Sequence, residues 1–141
     1  MASRLLDIAL SQYGIIETPG ELSNPEVLKY FHETGRKWVN ADSTPWCDAF
    51  IDWCAMKTGH KFTPGLYARE WLAECEQVRT IEEADLVLFW RVSRDSWMGH
   101  IAIPIAERNN MIFSLGGNQS DMVKISPYYK SRKLAYLKLK P

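Results

Sequence analysis

The chain has 141 residues, 46% hydrophobic and 12% aromatic, enough for one compact domain with a real core and short for two. Its 17 basic residues balance 17 acidic ones, so net charge carries no signature of a nucleic-acid binder or a membrane-surface protein. No stretch approaches the roughly 20 apolar residues of a membrane span, and Asp7 falls where a signal peptide needs an unbroken apolar core. The expectation is a chain that is cytoplasmic on synthesis and carries no export or anchoring signal of its own.

The first half of the chain reads as helices. Leu5, Leu6, Ile8, Ala9 and Tyr13 recur at helical spacing and stop at Gly14, which predicts a first helix from about Ser3 to Tyr13. After a turn at Thr18-Pro19-Gly20, Asn24-Pro25 supplies an N-cap with proline at the first helical position, and Val27, Leu28, Tyr30 and Phe31 give an apolar face until Gly35. Thr44-Pro45 repeats that start signal. Phe50, Ile51, Trp53, Cys54 and Met56 then make the third helix apolar on several sides, as befits a central one, and Gly59 closes it. Thr63-Pro64 is expected to open a short fourth helix carrying Tyr67, Trp71 and Leu72.

From Asp85 the period changes. Leu86–Trp90, Ile101–Ile105, Met111–Phe113, Met122–Ile125 and Leu134–Leu137 are short apolar runs, separated by turns that include Arg108-Asn109-Asn110 and Gly116-Gly117-Asn118. Helices followed by about five closely spaced strands indicate an α+β domain with antiparallel pairing, rather than alternating βαβ units.

Cys47, Cys54 and Cys75 are odd in number and form no CxxC pair, which argues against a disulfide framework and a zinc knuckle. Cysteine is ordinarily a small core residue, and Cys54 and Cys75 read that way. Cys47 differs, because a cap at Thr44 puts it at the third helical position. There, unpaired amides and the helix dipole favour a thiolate.

Of the three histidines, His100 opens an apolar strand directly after Gly99. A sheet packed on the Cys47 helix would bring this imidazole to the sulfur, as a nucleophile and its base require. Asn118 lies a hairpin away and could orient the ring through its amide oxygen, although Gly-Gly-Asn is also turn chemistry in its own right. The order Cys, His, Asn is that of a cysteine hydrolase.

Taken together, Tyr13-Gly14-Ile15, Glu17-Thr18-Pro19-Gly20, Asn24-Pro25, Thr34-Gly35, Asp42, Thr44-Pro45-Trp46-Cys47, Phe50, Trp53-Cys54, Ala68-Arg69, Trp71, Asp85–Phe89, Gly99-His100 and Leu115–Asp121 resemble the CHAP and NlpC-like cysteine peptidases, in particular a small phage-associated group. The resemblance spans nearly the whole chain, and its cysteine and Gly-Gly-Asn segments are the specific ones. It implies a papain-like fold in a single catalytic domain, residues 1–141, that cleaves an amide bond in bacterial peptidoglycan. The family's nucleophile falls on Cys47, its base on His100 and its orienting residue on Asn118, with Gln119 and Asp121 competing for that last role.

The chain departs from the family at Asp48, where a small residue usually follows the cysteine; an inward-pointing acid there would raise the thiol pKa. Asp42, Trp46 and Gln119 are the candidates for substrate binding: Asp42 for an amine on the stem peptide, Trp46 as a wall of the groove. Trp38 and Trp97, in polar segments, are candidates for contact with a glycan or peptide, whereas Trp53 and Trp71 read as core. Arg69 and Arg91 read as either solvated or paired.

No metal or organic cofactor is expected, since Asp42 and Asp48 are too few acids for a calcium site. The expected enzyme is a monomeric endolysin or virion-associated lysin that binds no nucleic acid and does not insert into membranes. It would reach the wall after release by another protein. A secreted antibacterial amidase and a catalytically silent wall-binding or phage structural module of the same fold remain alternatives.

Overall fold

A computed structural model describes residues 4–18, 23–41 and 45–140. Asp42, Thr44 and the Pro19-Gly20 part of the expected turn lie outside the described residues. Four α-helices are present among them: α1 (Arg4–Leu10), α2 (Pro25–His32), α3 (Cys47–Lys57) and α4 (Trp71–Glu74). Six strands follow α4: β1 (Cys75–Val78), β2 (Leu86–Trp90), β3 (Gly99–Arg108), β4 (Met111–Gln119), β5 (Met122–Tyr129) and β6 (Lys133–Leu139). They form one sheet in the order β1-β6-β2-β3-β4-β5, every neighbouring pair antiparallel. The α+β class is as expected, and no described helix is long and apolar enough to cross a membrane.

Local chemistry accounts for the helices. The Asn24 side chain accepts the Glu26 N–H at 2.9 Å with Pro25 next in line, so α2 starts where its cap places it. Val27, Tyr30 and Phe31 turn one face of α2 inward. Residues 47–55 of α3 are all buried, which suits a helix enclosed by α1, α2, β3 and β4. Tyr30 sits among aromatic neighbours, stacked on Trp46 with centroids 5.8 Å apart and edge-on to Phe50 and Trp53. Trp53 and Trp71 are core residues, as predicted.

Several elements depart from the sequence expectation. α3 begins at Cys47, so the thiol occupies the first helical position, not the third. Trp46 takes the cap with a non-helical backbone (φ −125°, ψ 15°), its indole drawn into the core where its N–H reaches Glu17 Oε1 at 2.7 Å. Thr63-Pro64 opens no helix: the Thr63 N–H and hydroxyl are engaged by the Asp52 carboxylate, and helical structure resumes only at Ala68. The sheet has a sixth strand, β1, whose Cys-Glu-Gln-Val sequence has no apolar run because it pairs only along one edge, with β6. Gly116-Gly117-Asn118 belongs to β4 and not to a turn; the reversal comes at Ser120-Asp121, both with positive φ (52° and 64°).

Alternation along the strands gives the sheet two apolar faces. Leu86, Leu88, Ile101, Ile103, Leu115 and Leu137 pack toward the helices, while Val87, Phe89, Ala102, Ile112 and Tyr136 form a second cluster. Two glycines let β4 serve both. A Cβ on Gly117 would lie 2.7 Å from Phe50 Cβ and 2.9 Å from the Trp46 ring, and one on Gly116 would lie 2.8 Å from Gln119 Oε1. Toward the start of β3 the ladder with β4 ends at Ile103–Leu115, leaving the α3 terminus access to the unpaired edge.

Gly117→Ala should therefore force β4 off α3 and cost about 1–3 kcal/mol, as overpacking does. Urea unfolding would read this as a lower midpoint with the slope preserved.

Candidate functional site

At that gap between β3 and β4 the Cys47 sulfur faces the backbone of the residue that follows His100. The Cys47 and His100 side chains are both buried. The backbone N–H groups of Ile101, the residue after His100, and of Asp48 face the Cys47 sulfur. His100 packs against Tyr128 with ring centroids 5.2 Å apart, and the Cys47 charge is felt at that same Tyr128 hydroxyl. Among the described residues no hydrogen bond joins the thiol to the imidazole. The ring's one side-chain hydrogen bond goes to Gln119.

That bond settles the imidazole tautomer. Gln119 Nε2 donates to the carbonyls of Ser114 (3.2 Å) and Lys124, which fixes the amide orientation and turns Oε1 toward the ring. Oε1 accepts from Tyr128 Oη at 3.1 Å and lies 2.9 Å from His100 Nε2. An acceptor there requires Nε2 to carry the hydrogen, so Nδ1 keeps its lone pair. The side chain bonded to the ring is thus that of Gln119 and not that of Asn118. A register shift between Gly116 and Gln119 returns Gln119 to pairing with Met122 and puts its side chain over Gly116, while Asn118 takes a left-handed backbone (φ 55°) in the bulge. Gln119, expected among the substrate-binding residues, is buried, with its amide turned to the ring.

Burial governs the electrostatics. It pushes the Cys47 thiol up to about 11, and the Asp48 carboxylate adds to the rise against the favourable N–H groups and the Arg91 charge. The same burial pulls the His100 imidazole down to about 4; the Gln119 hydrogen bond opposes this, and Arg91 and Arg132 reinforce it. The resting site therefore holds a neutral thiol and a neutral imidazole, not the thiolate expected from the helix terminus. Exclusion of water costs each ion more than the α3 amides return.

Asp48 belongs to a buried network behind the thiol. It accepts from Trp71 Nε1 at 2.6 Å, and its Oδ2 lies 2.9 Å from the Thr63 hydroxyl that it shares with Asp52. Burial and the neighbouring Asp52 push the Asp48 carboxyl well above the usual carboxylate range, while Asp52, itself raised to about 6 by burial, pairs with Arg36 at 2.8 Å. Arg36 also donates to the carbonyls of Thr63 (2.8 Å) and Gly65, tying the 63–65 segment to α3.

Beside Cys47 opens a cleft of about 430 Å³, lined by Pro64–Ala68 on the chain before α4, by Arg91 and Trp97–Gly99 on the β2–β3 loop, and by Arg36, Trp38 and Pro45. Trp38 and Trp97 are 72% and 67% exposed, which keeps them as candidates for substrate contact. Trp46, expected to wall the groove, is fully buried instead. Arg69 is paired with backbone, donating to the Met98, Arg94 and Ser93 carbonyls.

Tyr128 and Arg91 are the site residues that sequence reasoning did not single out. Tyr128 lies within an expected strand extension with no motif around it, and Arg91 has only its place after an apolar strand. Among the described residues no group of three or more His, Cys, Asp or Glu is placed to hold a metal ion. Comparison with protein-family models, with curated proteins and with solved structures gave no match.

Two outcomes follow from the buried charges. His100 binds its proton near 6.5 when exposed and near 4 when folded, so stability is full above pH 6.5, declines as the pH falls toward 4 and is lower by about 3 kcal/mol below that. Thermal melts across this range should show the decline, flattened in His100→Gln. Asp48→Asn keeps an oxygen for Trp71 and removes the carboxyl whose charge, once ionised, opposes the thiolate, so the Cys47 thiol pKa should fall, read as a leftward shift in the pH profile of Cys47 alkylation.

Proposed function

We propose that the chain is a papain-like cysteine hydrolase that cleaves an amide bond of bacterial peptidoglycan, as an endolysin or virion-associated lysin. The observation that carries the reading is the Gln119-fixed tautomer of His100, which leaves Nδ1 unprotonated on the strand whose next N–H faces the Cys47 sulfur. The peptidoglycan substrate rests on the family resemblance alone.

In this reading His100 Nδ1 takes the thiol proton as the sulfur attacks the amide carbonyl, in the manner of a general base acting on a neutral nucleophile. The backbone N–H at the start of α3 helps hold the developing oxyanion. Gln119 Oε1 accepts from the imidazolium throughout, and the ring then protonates the leaving amine. Water activated by the same nitrogen hydrolyses the thioester. Asn118 has no part in these steps.

A catalytically silent module of the same fold is the second reading. It is favoured by the absence of a thiol–imidazole hydrogen bond and by the raised thiol pKa.

Incubation of purified sacculi with the protein, followed by mass spectrometry of the soluble fragments, separates the two. The hydrolase reading expects new amine and carboxyl ends at one bond type with the wild type and none with Cys47→Ala; intact sacculi after long exposure to wild type sink it. Gln119→Ala should lower kcat by about 10²-fold, the scale of a disturbed general base, whereas Asn118→Ala should remain near wild type.

A further inference from the structure

Arg91 shares the cleft with Cys47 and is exposed. Among the described residues its guanidinium has no hydrogen-bond or ion-pair partner. The other guanidinium on the cleft, Arg36, is neutralised by Asp52. No carboxylate is present among the described residues that line the cleft. One unbalanced cation therefore faces a mostly apolar space that ends at the candidate nucleophile.

The backbone around Arg91 is held in an unfavourable conformation. The Ser93 N–H donates back to the Arg91 carbonyl at 2.8 Å, closing a three-residue turn around Val92 at φ 69°. A β-branched residue in that region is strained, and such a turn persists only when its surroundings over-determine it. Here Arg69 supplies the restraint, with Nε to the Met98 carbonyl at 2.8 Å, Nη1 to Arg94 at 2.7 Å and Nη2 to Ser93 at 3.0 Å. Trp97 stands edge-on to Tyr67 across the loop, centroids 5.2 Å apart. The loop base is thus fixed, and with it the point at which Arg91 leaves β2.

We propose that Arg91 is a specificity-determining residue that binds a substrate carboxylate next to the scissile amide, so that the site takes acidic amide-linked peptides in preference to neutral ones. This deepens the amide-hydrolase reading and rests on it for the word scissile. A guanidinium matches a carboxylate with two parallel hydrogen bonds, and a cleft with no acid among its described lining residues sets no competitor for that carboxylate there. Its charge also reaches the reacting groups, drawing the thiol down.

The test uses two alkylating agents that differ in charge. Iodoacetate carries a carboxylate to the sulfur and iodoacetamide does not, so their rate ratio at Cys47, followed by peptide mass spectrometry, reads the anion preference apart from thiol reactivity. The wild-type ratio should exceed that of the same cysteine in the urea-unfolded chain by about tenfold, the scale of one charge-assisted contact. It should collapse in Arg91→Gln, persist in part in Arg91→Lys, and hold in Arg94→Gln, which removes an exposed charge from the same loop. An unchanged ratio in Arg91→Gln overturns the proposal.

Two muropeptides identical except for a free carboxyl or a carboxamide beside the cut bond provide the second arm. Wild type should favour the free acid in kcat/KM, and Arg91→Gln should close the gap mainly through a raised KM for the acid. A ratio that collapses while neither peptide is cut supports the carboxylate site and sinks the hydrolase reading. Equal cleavage of both peptides with an unmoved ratio does the reverse.

Discussion

Because Gly116 and Gly117 carry no side chains, β4 lies against Phe50 and Trp46 at the start of α3 on one face and leaves room for the Gln119 amide on the other. The place of the Gln119 amide between β4 and the His100 ring follows from that double approach. With a side chain on either glycine, the strand would be held off α3 or the amide displaced from the His100 ring. The amide in turn is satisfied at both ends, two carbonyls on its nitrogen and a tyrosine hydroxyl and an imidazole on its oxygen. A buried amide with all these partners has one orientation, and that orientation passes to the imidazole as a tautomer.

The buried acids behind the thiol act on the cleft by position. A buried ion pair such as Arg36–Asp52 is weak evidence for stability, since desolvation offsets much of the attraction. Its geometry nevertheless links three segments: Arg36 after α2, Asp52 in mid-α3, and the Thr63 and Gly65 carbonyls that border the cleft. Asp48 sits within the same network, where burial first and the Asp52 carboxylate second raise its carboxyl pKa. The same two causes weaken the opposition that an acid directly after the nucleophile offers to a thiolate.

The sequence spoke most clearly where chemistry was local. The Asn24-Pro25 cap, the apolar α3 helix and the five apolar runs all rest on signals a few residues long, and each found its element. His100 at a strand start and Cys47 at a helix start were legible for the same reason. Gln119 was not separable from Asn118, because which one faces the ring depends on where a bulge falls in β4, and that is decided by packing against β5 and α3. Trp46 was misread as a groove wall because its burial depends on Glu17 and Tyr30, 29 and 16 positions away. The position of Cys47 in its helix shifted with it. A thiolate was expected from the helix terminus, but its cost comes from burial, which no short segment encodes.

In the proposed reaction, the proton must cross from a thiol near 11 to an imidazole near 4. A gap of about seven pKa units corresponds to about 10 kcal/mol. The two ions so formed would attract one another by about 4 kcal/mol if brought to about 4 Å in a medium of effective dielectric near 20. About 6 kcal/mol then remains to be supplied on the way to the transition state. Turnover at about 10 per second corresponds to a total barrier of about 16 kcal/mol, so a neutral resting pair leaves room for the carbon–sulfur step. The pair differs from a preformed thiolate in when the charge appears: it develops only as the substrate excludes the last water, with the Asp48 and Ile101 amides facing the sulfur and the Gln119 oxygen already on the ring.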